Sequence, residues 1–542
     1  MRPYEAERLV HQAAARILGG MPKGFVQRED GTITVFATVV FVLMIGVGGI
    51  AIDLMRYEAQ RTQLQYTLDR AVLAAAALDQ EKPAQDVVQN YFETAGLGNY
   101  RLRVTVDEGI NARRVTASAE MEMNTMFMRL FGQRVLSSPA AGAAEERIPN
   151  IEVSLVLDIS GSMEGTRMTN LQPAARDFVT SMLASNTNDI GQQFVSISVI
   201  PYNGHVNVGT TLSSVYALTG EHNYSRCSRF DWNDFTVSGL NPAVPIQRMA
   251  HFDIESTTWS DPIVRPRCPR DDTGAIIPWS NSEADMHQLI NSLTPQGSTA
   301  IDAGMRWAVA LLDPLARPAL NGLTSNGTVH ADFTDRPAAY ADPNTIKVVV
   351  MMTDGENTAQ YDVNPSFRSG PSPFWRDPDD GDFSVFYSQW NMYWQEDAKL
   401  WRSFPDGGGN NNAVRLDYAD LWNHIPAAEV REDLFNSDAW AGSNSWRRSA
   451  VEAMGAQYDF WDIVDEYVWD DEADRRLREI CNVARTNDII VFSIAFQAPA
   501  RGQAVMRHCA TTDAHYYEVQ SADISDAFTS IARTINQLRL VQ

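Results

Sequence analysis

The sequence predicts an α/β protein with an N-terminal transmembrane helix, a small α+β stalk, and then a doubly wound, mostly parallel sheet carrying two large insertions. Three observations carry this expectation. The twenty residues Ile33–Ile52 contain no charged side chain. Beyond Asn150, the runs Ile151–Leu157, Ile346–Met352 and Ile489–Phe496 are apolar enough to be buried on both faces, and helical stretches separate them. Two long segments, about 204–281 and 360–471, interrupt that alternation. With 542 residues, 44% of them hydrophobic, the chain fills more than one core. Its net charge of −24 argues against nucleic acid as a partner, because phosphate binding needs a basic face.

Twenty helical residues span about 30 Å, the thickness of a bilayer's hydrocarbon layer. A soluble helix of that length normally keeps a polar face. A cleaved signal peptide would have a shorter apolar run and a small-x-small site before Asp53. The helix instead continues into the polar stretch from Arg56 to Gln80, which is rich in helix formers. The reading is a lead at 1–30, an uncleaved membrane helix at 31–55 and a stalk at 56–147. Within the stalk we expect a helix at 84–95, a hairpin of 101–108 with 115–123, an apolar turn at 126–131, and an edge strand or linker at 137–147. Lys23 and Arg28 on one side balance Arg56 and Arg61 on the other, so charge does not orient the helix.

The run from Asp30 to Asp79 is similar to the amino-terminal segment of TadG-like proteins of the tight-adherence (Flp) pilus system. Gly31 opens the apolar helix, Ile52-Asp53 closes it, and Asp69-Arg70-Ala71 to Ala77 follows. Arg70 and Val72 depart from the family's alanines. Phe36 stands where pilin-type processing would want a glutamate, so such cleavage is not expected.

Strand 151–157 ends in Asp158-Ile-Ser160-Gly-Ser162, which places three oxygen-bearing side chains on alternate residues of one loop. Strand 346–352 ends in Thr353-Asp354-Gly355, and Gly297-Ser298-Thr299 opens a helix between the two. Expected helices are 169–184, 301–312, 473–486 and 521–538. In such sheets ligands bind beyond the carboxyl ends of the strands. Two carboxylates and three hydroxyls form a hard, all-oxygen set suited to Mg²⁺, with Mn²⁺ or Ca²⁺ as alternatives. Taken alone, Asp-x-Ser-x-Ser is equally a turn or cap signal; the second and third loops, in that order, favour a metal. The arrangement resembles the von Willebrand factor type A domain and its metal-ion-dependent adhesion site. The resemblance makes Ser160, Ser162 and Thr299 direct ligands, with Asp158 and Asp354 binding directly or through water. It places this domain at 150–542 and leaves Glu356 as a solvated turn residue.

The four cysteines pair most naturally as neighbours, Cys227 with Cys268 and Cys481 with Cys509, although four cysteines allow three pairings and buried free thiols are the alternative. Two disulfides imply an oxidising compartment. On that basis residues 1–30 are cytoplasmic and the bulk of the chain lies outside the cytoplasm; the pilus-system resemblance then implies a single-pass inner-membrane protein whose large C-terminal part is periplasmic. His205, His222 and His251 lie too far apart in sequence to suggest a site. Residues 361–480 hold nine of the 13 tryptophans, with 24 acidic and 11 basic residues. This composition suits a helical subdomain with inward tryptophans, or an aromatic, acidic recognition surface. Motifs for acyl transfer, phosphate binding and zinc hydrolysis are missing, so no enzyme is expected. The two resemblances imply a membrane-anchored, metal-dependent binding protein of the pilus assembly system. It would engage secretion machinery or envelope proteins through an acidic residue of the partner. The alternative is a surface adhesin that uses the tryptophan-rich insertion.

Overall fold

The computed structural model describes residues 32–77, 80, 82–109, 112–147, 149–184, 186, 193–256, 260–387, 391–395, 400–406, 412–427 and 463–541. The lead at 1–30, Gly31, Trp390, the segment 407–411 and the stretch 428–462 with Trp440, Trp446 and Trp461 lie outside them. The chain divides into two compact units, Met1–Arg147 and Ile148–Gln542.

In the first unit, helix α1 (Thr32–Ala76) is continuous. Its first half exposes a sleeve of Ile33, Phe36, Phe41, Leu43 and Ile45. In water such a sleeve costs about 25 cal/mol for each Å² left wet, and it is long and apolar enough to cross a membrane. Its second half buries Leu64, Leu68, Ala71, Val72 and Ala75 against helix α2 (Ala84–Thr94) and a three-stranded antiparallel sheet. The strands are β1 (Tyr100–Gly109), β2 (Ala112–Asn124) and β3 (Val135–Arg147), in the order β1-β2-β3. Segment 137–147 is therefore an edge strand, with small residues from Ser137 to Ala144 that let it lie close to α1: Gly142 sits 3.1 Å, measured from an added Cβ, from Asp69.

The Ile52-Asp53 dipeptide has a structural job. Asp53 is fully buried and accepts from the backbone N–H groups of Met126, Phe127 and Met128 at 2.9, 2.7 and 2.8 Å. One carboxylate thus closes the turn between β2 and β3 onto the helix.

In the second unit, the central strands are β4 (Asn150–Asp158), β5 (Val195–Tyr202), β6 (Ile277–Ser280) and β7 (Thr345–Thr353), followed much later by β13 (Ile490–Phe496) and β14 (Tyr516–Val519). Their order is β14-β13-β7-β4-β5-β6, and every neighbouring pair is parallel except β5 with β6. Helices α3 (Thr166–Leu183), α4 (Glu283–Ser292) and α8 (Ile524–Val541) cover one face through Phe178, Met286 and Phe528. Helices α5 (Ile301–Ala310), α6 (Asp470–Thr486) and α7 (Ala500–Cys509) cover the other through Trp307, Leu477 and Met506. Strand β4 serves both cores: Ile151, Val153, Leu155 and Leu157 face one, Val156 the other. This is a doubly wound α/β sheet. Its switch point lies between β4 and β7, because the chain leaves β4 toward β5 and later returns on the opposite side.

Both cysteine pairs are disulfides, Cys227 with Cys268 and Cys481 with Cys509, the second joining α6 to α7. The helical expectation for the second insertion is wrong among the described residues. It forms a five-stranded antiparallel sheet of β8 (Pro371–Arg376), β9 (Phe383–Tyr387), β10 (Met392–Gln395), β11 (Leu400–Arg402) and β12 (Val414–Asp417). Its aromatic runs, such as Phe383-Ser-Val-Phe-Tyr387, suit a pleated, half-buried surface better than a helix. Trp394 and Trp422 are core residues, whereas Trp469 is exposed. The two insertions are not separate bodies. Met249, Phe252 and Cys268 of the first share one core with Val363, Phe374, Phe383 and Trp422 of the second. Sequence distance also misleads for the histidines: the rings of His222 and His251 lie 6.1 Å apart, because the first insertion folds back on itself.

Candidate metal centre

Register fixes the centre. Leu157 of β4 pairs with Met352 of β7, so Asp158 and Thr353 leave the sheet side by side. Thr353 Oγ1 donates to Asp158 Oδ2 at 2.6 Å, the Tyr202 hydroxyl reaches the same oxygen at 3.3 Å, and the Ser160 N–H donates to Asp158 Oδ1 at 2.8 Å. Gly161 N–H donates to the Gly297 carbonyl at 2.9 Å and ties the first loop to the one that leads to Thr299. Ser160 Oγ and Ser162 Oγ are 3.0 Å apart, and Ser162 Oγ donates to Asp354 Oδ1 at 2.7 Å. Thr299 Oγ1 and Ser162 Oγ flank one point beside Gly355: a Cβ there would lie 3.5 and 3.6 Å from them. A Cβ at 355 would meet both hydroxyls at ordinary contact distance.

The structure thus brings Asp158, Ser160, Ser162, Thr299 and Asp354 to one rim. Asp158, Ser160, Thr299 and Asp354 are buried, and Ser162 faces solvent. Glu356 is half-buried in the turn beyond. Burial and then the neighbouring Asp354 push the Asp158 carboxyl up to about 6. Burial also raises Asp354, opposed by its bonds to Ser162 and Arg167. A cation beside two carboxyls raised in this way would favour their charged forms, as Arg167 already does for Asp354.

Sequence reading missed three residues. Thr353 and Tyr202 brace Asp158; Thr353, as the last residue of its strand, was open to discovery by pairing the strands. Arg167, on the first turn of α3, pairs with Asp354 Oδ2 at 2.8 Å and donates to the Ser162 carbonyl at 2.8 Å and to Gln497 at 3.1 Å. Asp354 Oδ2 is buried and is held by this ion pair with Arg167. All-oxygen donors and an open side at Ser162 fit a hard divalent ion. Among the described residues, one His/Cys/Asp/Glu group is tight enough for a metal, His205 with Cys227 and Cys268, and there the disulfide has consumed both thiols.

Residues 31–78 match the family described as Putative Flp pilus-assembly TadE/G-like. This segment is TadE/G-like. The TadE/G-like match spans the apolar helix and its stalk-facing continuation and ends before the second unit. No curated protein matches the chain. Among solved structures, the chain is similar to the vWF domain of the type V pili tip protein Mfa5 from Porphyromonas gingivalis, at 12% identity and a TM-score of 0.31, over 73% of this chain and 97% of that one. It is also similar to the pilus adhesin SpaC from Lactobacillus rhamnosus GG, at 12% identity and a TM-score of 0.28, over 80% of this chain and 34% of that one. A third likeness is proximal thread matrix protein 1 from the mussel byssus with a zinc-occupied MIDAS motif, at 10% identity and a TM-score of 0.25, over 72% of this chain and 46% of that one. The fold itself rests on the strand order and register described above.

Proposed function

We propose that this chain is a membrane-anchored, metal-dependent binding protein of the tight-adherence (Flp) pilus assembly system and not an enzyme. In this reading it sits in the inner membrane as a single-pass protein, its large C-terminal part in the periplasm, and engages pilus, secretion or envelope proteins. The TadE/G-like segment supports the system, the apolar helix the anchor, and the two disulfides the oxidising side. The observation that carries the binding role is the hydrogen-bonded chain Ser160–Ser162–Asp354 beside the buried Asp158, at the switch point of the sheet.

Ser160, Ser162 and Thr299 offer neutral oxygens, while Asp158 and Asp354 supply the charge directly or through water. A bound Mg²⁺, or Mn²⁺ or Ca²⁺ in its place, would supply a Lewis-acidic position for an acidic side chain of the partner. Arg167 balances Asp354 from the flank, and Thr353 and Tyr202 hold Asp158 in place.

The deciding experiment is thermal unfolding of the full chain in detergent, with and without Mg²⁺. Mg²⁺ should raise the melting temperature and Asp158→Ala should abolish the rise; a rise that persists in that variant sinks the site. Capture from envelopes with and without chelator then reports whether partner binding depends on the metal.

A further inference from the structure

We propose that the turn Met126–Phe131 is a lipid-inserted wedge that seats the stalk on the bilayer beside its own membrane helix; this rests on reading α1 as the anchor. The turn is Met-Phe-Met-Arg-Leu-Phe, with Met126, Leu130 and Phe131 exposed by 59, 77 and 67%. So much apolar surface at the tip of one turn is costly in water. Its position says what covers it. A Cβ on Gly49 would lie 2.5 Å from the Phe127 ring, and one on Gly46 3.2 Å from the Phe131 ring. Both glycines belong to the uncharged run of α1. Gly46 lies seven residues before Asp53, which is roughly 10 Å along the helix. That depth matches how far interfacial apolar segments enter a bilayer.

The backbone of the turn is prepared for a medium without water, where every unpaired N–H or C=O is expensive. Asp53 takes the amides of Met126, Phe127 and Met128. Leu130 N–H donates to Phe127 O, Gly132 N–H to Arg129 O and Gln133 N–H to Met128 O, at 3.0, 3.2 and 3.1 Å. Arg129 is exposed on the same turn, and its long side chain can reach lipid phosphates while the apolar residues stay below. The glycines, the Asp53 clasp and the exposed Leu-Phe pair thus agree on one occupant, the lipid around α1.

The test uses nitroxide labels on the full chain in liposomes of phosphatidylcholine and phosphatidylglycerol at three to one. All four native cysteines are in disulfides, so one introduced cysteine gives one label. Labels at Leu130→Cys, Val42→Cys and Thr94→Cys report the turn, the membrane helix and water. We expect the ratio of oxygen to nickel-chelate collisions at Leu130 to exceed that at Thr94 several-fold and to approach that at Val42. Phe131→Cys repeats the measurement in case the first variant misfolds. If Leu130 and Phe131 match Thr94 while Val42 remains in lipid, the wedge is overturned and the anchor stands. If Val42 matches Thr94 as well, the anchor reading fails and takes the wedge with it. Labels shielded from both reagents, with dipolar broadening that fades on dilution by unlabelled protein, mean that a second copy covers the turn, which also overturns the proposal.

Discussion

Two buried acidic sites, one in each unit, show opposite ways of keeping a carboxylate out of water. Asp53 gives its oxygens to three backbone amides of a single turn. Asp158 and Asp354 stand near one another and take hydroxyl donors and one arginine in place of backbone turns closed around them. A carboxylate saturated by amides is a fastening. A pair ringed by hydroxyls, with one arginine against Asp354, is in the proposed reading a socket for a cation.

The largest expected effect tests the fastening. Asp53→Ala leaves three amides unpaired and should cost the stalk roughly 3–5 kcal/mol. Hydrogen exchange at Met126, Phe127 and Met128 checks this, and unchanged protection would show that the clasp is dispensable. Next comes the socket. Mg²⁺ at a hundred times its dissociation constant should stabilise the second unit by about 2.7 kcal/mol, and Asp158→Ala should remove that gain. Without metal, Asp354→Asn should cost far less than Asp53→Asn, because it relieves a repulsion. Equal costs would erase the contrast between the two sites.

Acid sharpens the contrast from the basic side. Burial, and then Arg267, depress His205 to about 3, so it is neutral in the folded state. A base depressed below its unfolded value keeps its full stability above about pH 6.5 and loses it as the pH falls toward the folded value. Lowering the pH from 7 to 5 should therefore cost about 2 kcal/mol through His205 alone. Urea titrations at both pH values, compared with His205→Gln, read that difference, and an identical pH slope in the variant would contradict it. The smallest effect concerns Arg167, whose charge competes with a cation for Asp354. Arg167→Gln should tighten Mg²⁺ binding by up to about tenfold in calorimetry. Weaker binding would instead make the arginine a positioning group for the Ser162 loop.

What was legible in the sequence follows from how local each signal is. Ile33–Ile52 reads as a membrane helix from composition alone, and Ile151–Leu157 as a doubly buried strand because its apolar run is unbroken. The loop residues Asp158, Ser160 and Ser162 stand out by spacing, and Asp354 by its place after a second such strand. Arg167 gave no signal, since an arginine on the first turn of a helix is unremarkable until Asp354 is brought to it from 187 positions away. The second insertion was misread because tryptophan content says that a core exists but not which backbone carries it; the aromatic and β-branched residues of Phe383–Tyr387 were the better guide. The nearness of His222 and His251 comes from a fold-back in which His222 meets the Met249 carbonyl and Met249 N–H donates to the Cys227 carbonyl, which separation along the chain conceals.

The core common to the two insertions has a practical corollary. Phe252 and Cys268 come from one excursion, Phe374 and Trp422 from the other, and they line a single interior. Trimming either loop to reach a minimal sheet would strip half that lining and leave the remainder sticky, so protein engineers should transplant or delete both as one cassette.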